Sequence, residues 1–347
     1  MEKIKVGILG ATGSVGQKFI SLLSDHPVFE IHELAASERS AGKVYKNAMK
    51  WILDAELNEN IGKKIIKKAG EKLESRVLFS ALDSGVAGEL ETYYAKNGHA
   101  VISNARNHRT DPDVPLIIPE VNPEHLEMIK YQKYGEGFIV TNPNCSTIGA
   151  VLALKPLHDK FGIKKLNIVT MQAMSGAGYP GLSSMDIFDN VVPYISGEED
   201  KIETEPNKIF GKLSENGIIE HENIKISAQC NRVNVIDGHL ETIQVTFDKK
   251  VEKVQIIEAW HDFESIPYKE GCYSAPKNPI RYFHEDNYPQ PRIHRNLGNG
   301  MTVSTGRLRE CKFFDYKFVV LSHNTVRGAA GGTILIAELL EKNGIIK

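Results

Sequence analysis

Asn142-Pro143-Asn144-Cys145-Ser146-Thr147 stands between two apolar runs, Gly137–Val140 and Ala150–Leu154. The first run predicts a strand that stops at Asn-Pro, and the second predicts a helix with small and capping residues in its first turn. Cys145 therefore falls where a strand turns into a helix. Unpaired N–H groups and the positive end of the helix dipole at such a start favour a thiolate over a thiol, and the same amides can hold a developing oxyanion. That is the setting of a cysteine nucleophile. An isolated free cysteine is more often a small buried hydrophobe, and Cys230, Cys272 and Cys311 have no comparable surroundings.

A second chemical signature lies at the start of the chain. Lys5–Leu9 is a buried-strand pattern that runs into Gly10-Ala11-Thr12-Gly13-Ser14-Val15-Gly16, and Gln17–Leu23 has helical spacing. Strand, glycine-rich turn and helix present backbone N–H groups to a pyrophosphate, which makes Gly10, Thr12, Gly13, Ser14 and Val15 expected dinucleotide contacts. The next strand, Ile31–Ala36, is followed by Ser37, Glu38, Arg39 and Ser40. Hydroxyl and basic groups there suit the 2′-phosphate of NADP, so Ser37, Arg39 and Ser40 are assigned to it. Glu38 is the type of residue that binds ribose hydroxyls, and it keeps NAD possible.

The elements that must carry these residues follow from periodicity. Val77–Leu82 and His99–Asn104 read as further core strands, with a helix opening after Gly85 and with Arg106 and Arg109 in a later loop. Pro112, Pro115, Pro119 and Pro123 mark an extended crossing towards Cys145. Residues 44–75 are polar, and Lys63, Lys64, Lys67 and Lys68 read as a solvated charged face. Beyond Cys145 the strands lengthen and partly alternate, at Lys165–Ala173, Ile224–Ala228, Leu240–Phe247 and Phe318–Ser322. Such strands predict a mixed or antiparallel sheet with helices on one face. The expected fold is thus α/β: a Rossmann-like parallel sheet at the N-terminus, then an α+β catalytic and dimerisation domain with a mixed sheet. The expected boundaries are 1–144 with 325–347, where a glycine-rich helix returns to the first domain, and 145–324.

Composition removes several classes of function. The 347 residues exceed one core and suggest two domains. With 42 Lys and Arg against 44 Asp and Glu the net charge is −2, which offers nucleic acid no electrostatic attraction. No apolar run approaches the roughly 20 residues of a spanning helix, and the chain enters its first strand without a signal peptide. Four scattered cysteines without CxxC spacing indicate neither a disulfide framework nor a metal site. A reduced, cytoplasmic protein is expected.

Several long motifs, taken in order, resemble the aspartate-β-semialdehyde dehydrogenases, particularly the shorter archaeal and fungal type. They are Gly10–Gly16, Asp111–Asn122, Asn142–Thr147, Gln172–Gly178, Gly238–Glu241 and His323–Gly331, and they span nearly the whole chain. The resemblance implies NADP-dependent interconversion of L-aspartyl-4-phosphate and L-aspartate-4-semialdehyde plus phosphate, in the biosynthesis of lysine, threonine and methionine. It implies that Cys145 forms a thioester, that His239, seven residues after Arg232, is the acid/base histidine, and that Gln172 orients the acyl group. It further implies phosphate binding by Arg109 and Lys208, a bidentate grip on the α-carboxylate by Arg232, an ammonium partner in Glu205, and a substrate contact at Asn144. Ser80, Leu82, Ser175, Gly176 and Asn324 are implied cofactor contacts, and a homodimer or homotetramer is implied.

Two departures from the family pattern are Arg106, where a small residue is usual, and Asp83 and Gly85 in the loop after Leu82. The rival readings are a malonyl-CoA or succinyl-CoA reductase of the same fold, an N-acetyl-glutamyl-phosphate reductase, and a non-catalytic NADP sensor. Asn144 directly before Cys145, with Glu205 and Lys208, suits a small acyl phosphate better than a CoA ester.

Overall fold

The computed structural model describes residues 2–214, 217–221 and 224–347. β1 (Ile4–Leu9), β2 (Phe29–Ala36), β3 (Ile66–Lys68), β4 (Val77–Ser80), β5 (Ala100–Ser103) and β6 (Phe138–Thr141) form one sheet in the order β3-β2-β1-β4-β5-β6. Every neighbouring pair is parallel. A parallel sheet is covered on both faces, which is why β4, β5 and β6 are buried at every position. The strand order reverses between β1 and β4, and ligands of such sheets collect at the carboxyl ends on either side of that reversal. α1 (Ser14–Leu23) leaves β1 there, and α2 (Ser84–Lys96) leaves β4. Gly10 closes the gap between the two strand tips with φ +74°, and a Cβ on it would lie 2.4 Å from the Ala81 carbonyl oxygen. Only glycine permits that approach.

β7 (Ile163–Gln172) begins the second sheet, and β8 (Lys212–Ser214) with β9 (Gly217–Ile219) makes a small separate hairpin. β10 (Lys225–Arg232), β11 (His239–Phe247), β12 (Ile280–Phe283), β13 (Val303–Glu310) and β14 (Tyr316–Ser322) complete the second sheet in the order β10-β7-β11-β14-β13-β12. Its outermost pairs are parallel and its three inner pairs antiparallel. α3 (Cys145–Phe161) lies on one face, where Leu152, Leu157, Ile168, Ile243 and Phe318 share a core. Along β7 and β11 buried residues alternate with partly exposed ones, so the opposite face carries residues such as Asn167, Val169 and Gln244. α4 (Glu198–Ile209) packs along β10, and α5 (Lys253–His261) sends Trp260 Nε1 to the Ala153 carbonyl at 2.8 Å.

The parallel sheet and the mixed sheet agree with the expected fold class. The chain ends by returning to its beginning: α6 (Gly331–Lys342) buries Leu335, Ile336, Leu339 and Leu340 in the core that also contains Ile8, Phe79 and Val140. It opens on Gly331 and Gly332, the expected glycine-rich start, and Val326–Ala330 before it form a π-helical turn. Such turns occur disproportionately at functional sites. Lys67 and Lys68 also depart from the expected solvated face. They lie on edge strand β3 and pair with Glu33 at 2.6 Å and Glu38 at 3.0 Å. Among the described residues no helix is long and apolar enough to cross a membrane.

Candidate active site

Cys145 is the first residue of α3, and Asn144 is its cap. The Asn144 side-chain oxygen accepts from the amides of Ser146 and Thr147 at 2.9 and 3.3 Å. Two of the amides expected to serve an oxyanion are therefore already engaged, which leaves the amide of Cys145 itself. Gly328, in the π-turn, presses on Cys145 from the other side. A Cβ there would lie 2.7 Å from the Cβ of Cys145, so no larger residue could occupy position 328 without displacing Cys145.

β11 begins with His239, which is fully buried, and its Nε2 lies 3.2 Å from Cys145 Sγ. The other ring nitrogen, Nδ1, accepts from the Ala173 amide at 3.0 Å. A nitrogen that accepts carries no proton, so the neutral ring holds its hydrogen on Nε2 and directs it at the sulfur. Burial, reinforced by the Arg232 guanidinium, brings the imidazole pKa down to about 3. The ring is a fixed hydrogen-bond donor to whatever occupies the sulfur's position.

Burial and the Glu198 carboxylate push the Cys145 thiol up to about 12, against the opposing pull of Arg109, Arg232 and Lys201. Burial first, and then the charge delivered from α4, thus outweigh the helix start that favoured a thiolate, and the resting group is the thiol. Burial also raises Glu198, yet its pKa ends below the usual carboxylate value, because Lys201 binds it and Asn144 and Gln172 donate to it. The Lys201, Asn144 and Gln172 distances are 2.5, 2.8 and 3.2 Å. Removing the negative charge should favour the thiolate. In Glu198→Gln, alkylation of Cys145 by iodoacetamide at neutral pH should accelerate several-fold, about tenfold per unit of pKa less the lower nucleophilicity of a weaker base. A rate unchanged or slower would remove Glu198 from control of the thiol.

Cys145 opens into a cavity of about 500 Å³ that Arg106, Arg109, Asn144, Glu198 and Lys201 help to line. Glu198 and Lys201 were not singled out in the sequence, where the Glu205 and Lys208 pair was preferred. That preference requires correction. Glu205 is buried with both oxygens committed, one to Arg109 Nη1 at 2.8 Å and one to the Asn144 amide at 2.7 Å. Lys208 Nζ donates to the carbonyls of Arg109, Asp111 and Val114 at 2.7, 2.6 and 2.9 Å, and so has no donor left for phosphate. Burial lowers its pKa to about 8. Lys208 thus shapes the loop that carries Arg109, and Glu205 aims Arg109 and anchors the cap.

The remaining expected residues divide by position. Gln172 is buried behind Glu198 and reaches the cavity only through it. Arg232 Nη1 donates to the Ala173 carbonyl at 2.7 Å, while its buried Nε has no partner. Its guanidinium lies against Gly176, which together with Ser175 and Asn324 lines the Cys145 cavity. Asn324 donates to Ser175 Oγ at 2.8 Å and accepts from the Gly238 amide at 2.8 Å, which ties the start of β11 to that loop. Ser80 is a second correction. Its hydroxyl is fully buried and donates to Glu91 Oε1 at 2.5 Å, away from the groove.

A second cavity, of about 710 Å³, runs from Gly10, Thr12 and Gly13 to Ser37, Arg39 and Ser40. Gly13, Ser14, Ala81, Leu82, Asp83 and Tyr179 line both cavities, so the two form one groove ending at the sulfur. Val15 stands on the Cys145 side of it, and Leu82 where the two cavities meet. Gly13 caps α1 without a side-chain hydrogen bond, which leaves first-turn amides open to an anion. The donor set therefore fits a dinucleotide: helix amides for a pyrophosphate at one end and hydroxyl and basic groups at the other. A thiol, an imidazole donor and clustered cations at the end of such a groove can support acyl transfer to sulfur followed by reduction beside it.

Two family models match the chain: semialdehyde dehydrogenase, NAD binding domain, over residues 5–129, and semialdehyde dehydrogenase, dimerisation domain, over residues 154–327. The chain is 50% identical to the aspartate-semialdehyde dehydrogenase of Candida albicans over 100% of both chains. It is 47% identical to that of Methanothermobacter thermautotrophicus over 98% of this chain and 99% of the relative. A crystal structure of aspartate semialdehyde dehydrogenase with NADP from Candida albicans superposes with a TM-score of 0.92 at 47% identity, covering 99% of this chain and 100% of that one.

Proposed function

The chain belongs to the aspartate-semialdehyde dehydrogenase family, and from that membership we propose that it catalyses the NADP-dependent, phosphate-releasing reduction of L-aspartyl-4-phosphate to L-aspartate-4-semialdehyde, and the reverse. The reaction serves the biosynthesis of aspartate-derived amino acids. The observation that carries the reading is the 3.2 Å contact between Cys145 Sγ and His239 Nε2 at the end of a dinucleotide-sized groove.

Cys145 attacks the acyl carbon, the C–S bond forms as the C–O bond to phosphate breaks, and the thiol proton leaves with the phosphate. NADPH, when bound along the groove, supplies the hydride that reduces the thioester. The Cys145 amide holds the oxygen of the resulting hemithioacetal. His239 Nε2–H then hydrogen-bonds the sulfur as the C–S bond breaks, the aldehyde is released, and the thiolate takes a proton from solvent, which restores the resting thiol. The substrate's charges are each answered: Arg232 takes the α-carboxylate, Glu198 the ammonium, and Lys201 with Arg109 and Arg106 the phosphate. Gln172 and Asn144 hold Glu198 in place.

Residues 1–144 with 325–347 bind the nucleotide, and 145–324 carry the catalytic groups. The half-exposed face of the second sheet suits a second copy of the chain, as a homodimer or homotetramer. With its four cysteines free, the protein is assigned to the cytoplasm. Nicotinamide absorbance followed with aspartate semialdehyde, phosphate and NADP, against malonyl-CoA or N-acetyl-glutamyl phosphate with NADPH, tests the substrate. Turnover should require aspartate semialdehyde and phosphate together, and turnover of the CoA ester alone would overturn the assignment. The charges gathered around Cys145 favour the small acyl phosphate over both rivals and over a purely binding role.

A further inference from the structure

Glu38 is an unexpected residue for a site that takes a 2′-phosphate. A carboxylate just past the second strand accepts hydrogen bonds from ribose hydroxyls and repels a phosphate, which is the arrangement of sites that prefer NAD. Here Glu38 Oε1 accepts from Lys68 Nζ at 3.0 Å. Lys68 ends β3 directly opposite Ala36, the last residue of β2, so the parallel pairing of the two strands brings its ammonium to the turn that follows β2. That turn is closed by the Ser40 amide on the Ser37 carbonyl at 2.9 Å, and Ser37, Glu38, Arg39, Ser40 and Lys68 all line the same cavity.

We propose that Lys68 determines nucleotide specificity, by neutralising Glu38 and standing with Arg39 as a second cation for the 2′-phosphate. The inference rests on the NADP reading above and deepens it. With Lys68 the end of the cavity holds two cations and one carboxylate; without it, the charges cancel and Glu38 faces the phosphate unopposed. The side chains of Lys68 and Glu38 are 45% and 81% exposed, so the pair adds little to folding stability. Its effect is on the field inside the cavity, where a phosphate bearing close to two charges magnifies it.

The test is calorimetric binding of adenosine 2′,5′-bisphosphate and of 5′-AMP to the full chain. In Lys68→Ala the bisphosphate should bind about tenfold more weakly, while 5′-AMP stays within about twofold of the parent. Adding Glu38→Ser to Lys68→Ala should restore most of the lost affinity, because the repulsive group is gone. The ratio of KM for NADP to KM for NAD should follow the same order across the variants. Equal weakening of both nucleotides, an unchanged bisphosphate affinity, or no recovery in the double variant would each overturn the role of Lys68. Equal affinity of the parent for the two nucleotides would overturn the NADP reading, and this inference with it.

Discussion

Cys145→Ala abolishes turnover in both directions, with a loss of about four orders of magnitude or more, because no other group can carry the acyl chain between phosphate release and reduction. The fold should be retained. The sulfur lines a cavity rather than a core, and the α3 cap is made by Asn144, whose bonds to Ser146 and Thr147 do not involve it. Nucleotide affinity should be unchanged, since the Ser37–Ser40 end of the groove does not line the Cys145 cavity. Rates in both directions, a melting curve and a nucleotide titration on one preparation check this. Activity within tenfold of the parent would dismiss Cys145 as the nucleophile.

The second large effect concerns His239, and two substitutions separate what the ring does. His239→Ala removes the donor facing the sulfur and leaves the Ala173 amide unpaired, and kcat should fall by about two to four orders of magnitude. Glutamine can reproduce the polarity of the ring, with its oxygen accepting from Ala173 and its amide donating towards Sγ. If donation is the main task, His239→Gln should recover at least tenfold over alanine; equal rates would mean that a proton is passed through the ring. Because burial brings the imidazole pKa to about 3, the ring stays neutral down to mildly acidic pH. The kcat/KM profile should therefore lack a falling limb near the ordinary histidine pKa as pH decreases, and its presence, lost in His239→Gln, would contradict the buried neutral ring.

The proposed nucleophile and the proposed nucleotide turn stand out in the sequence because their chemistry is local. Asn144, Cys145, Ser146 and Thr147 are consecutive, as are the glycines of the first turn, and both signals survive without knowledge of the rest of the fold. The ionic residues were less accessible. α4 carries the pattern Glu-x-x-Lys twice, at Glu198 and Lys201 and again at Glu205 and Lys208. Seven residues are close to two helical turns, so both pairs lie near one face, separated by about 10 Å along the axis. Spacing cannot say which pair meets the cavity. That depends on how far α4 slides along β10, a tertiary quantity, and the pair nearer the helix start is the one that reaches Cys145. The thiolate expectation erred for a related reason: a helix start is visible in the sequence, whereas the burial of the thiol, and after it a carboxylate brought from 53 positions later, are tertiary. Lys68 was hidden because an edge strand of three residues, Ile66–Lys68, leaves almost no periodic trace.

The π-turn at Val326–Ala330 and the helix after it close the pocket with nearly the last residues of the chain. A ribosome makes Cys145 long before it makes Gly328, and Ile8 and Phe79 long before Leu335 and Leu339, which share their core. The nascent polypeptide therefore carries Cys145 without the turn that packs against it until residues 326–342 have been made. A message cut short by a premature stop after residue 324 would release a chain unable either to bury its first core or to react.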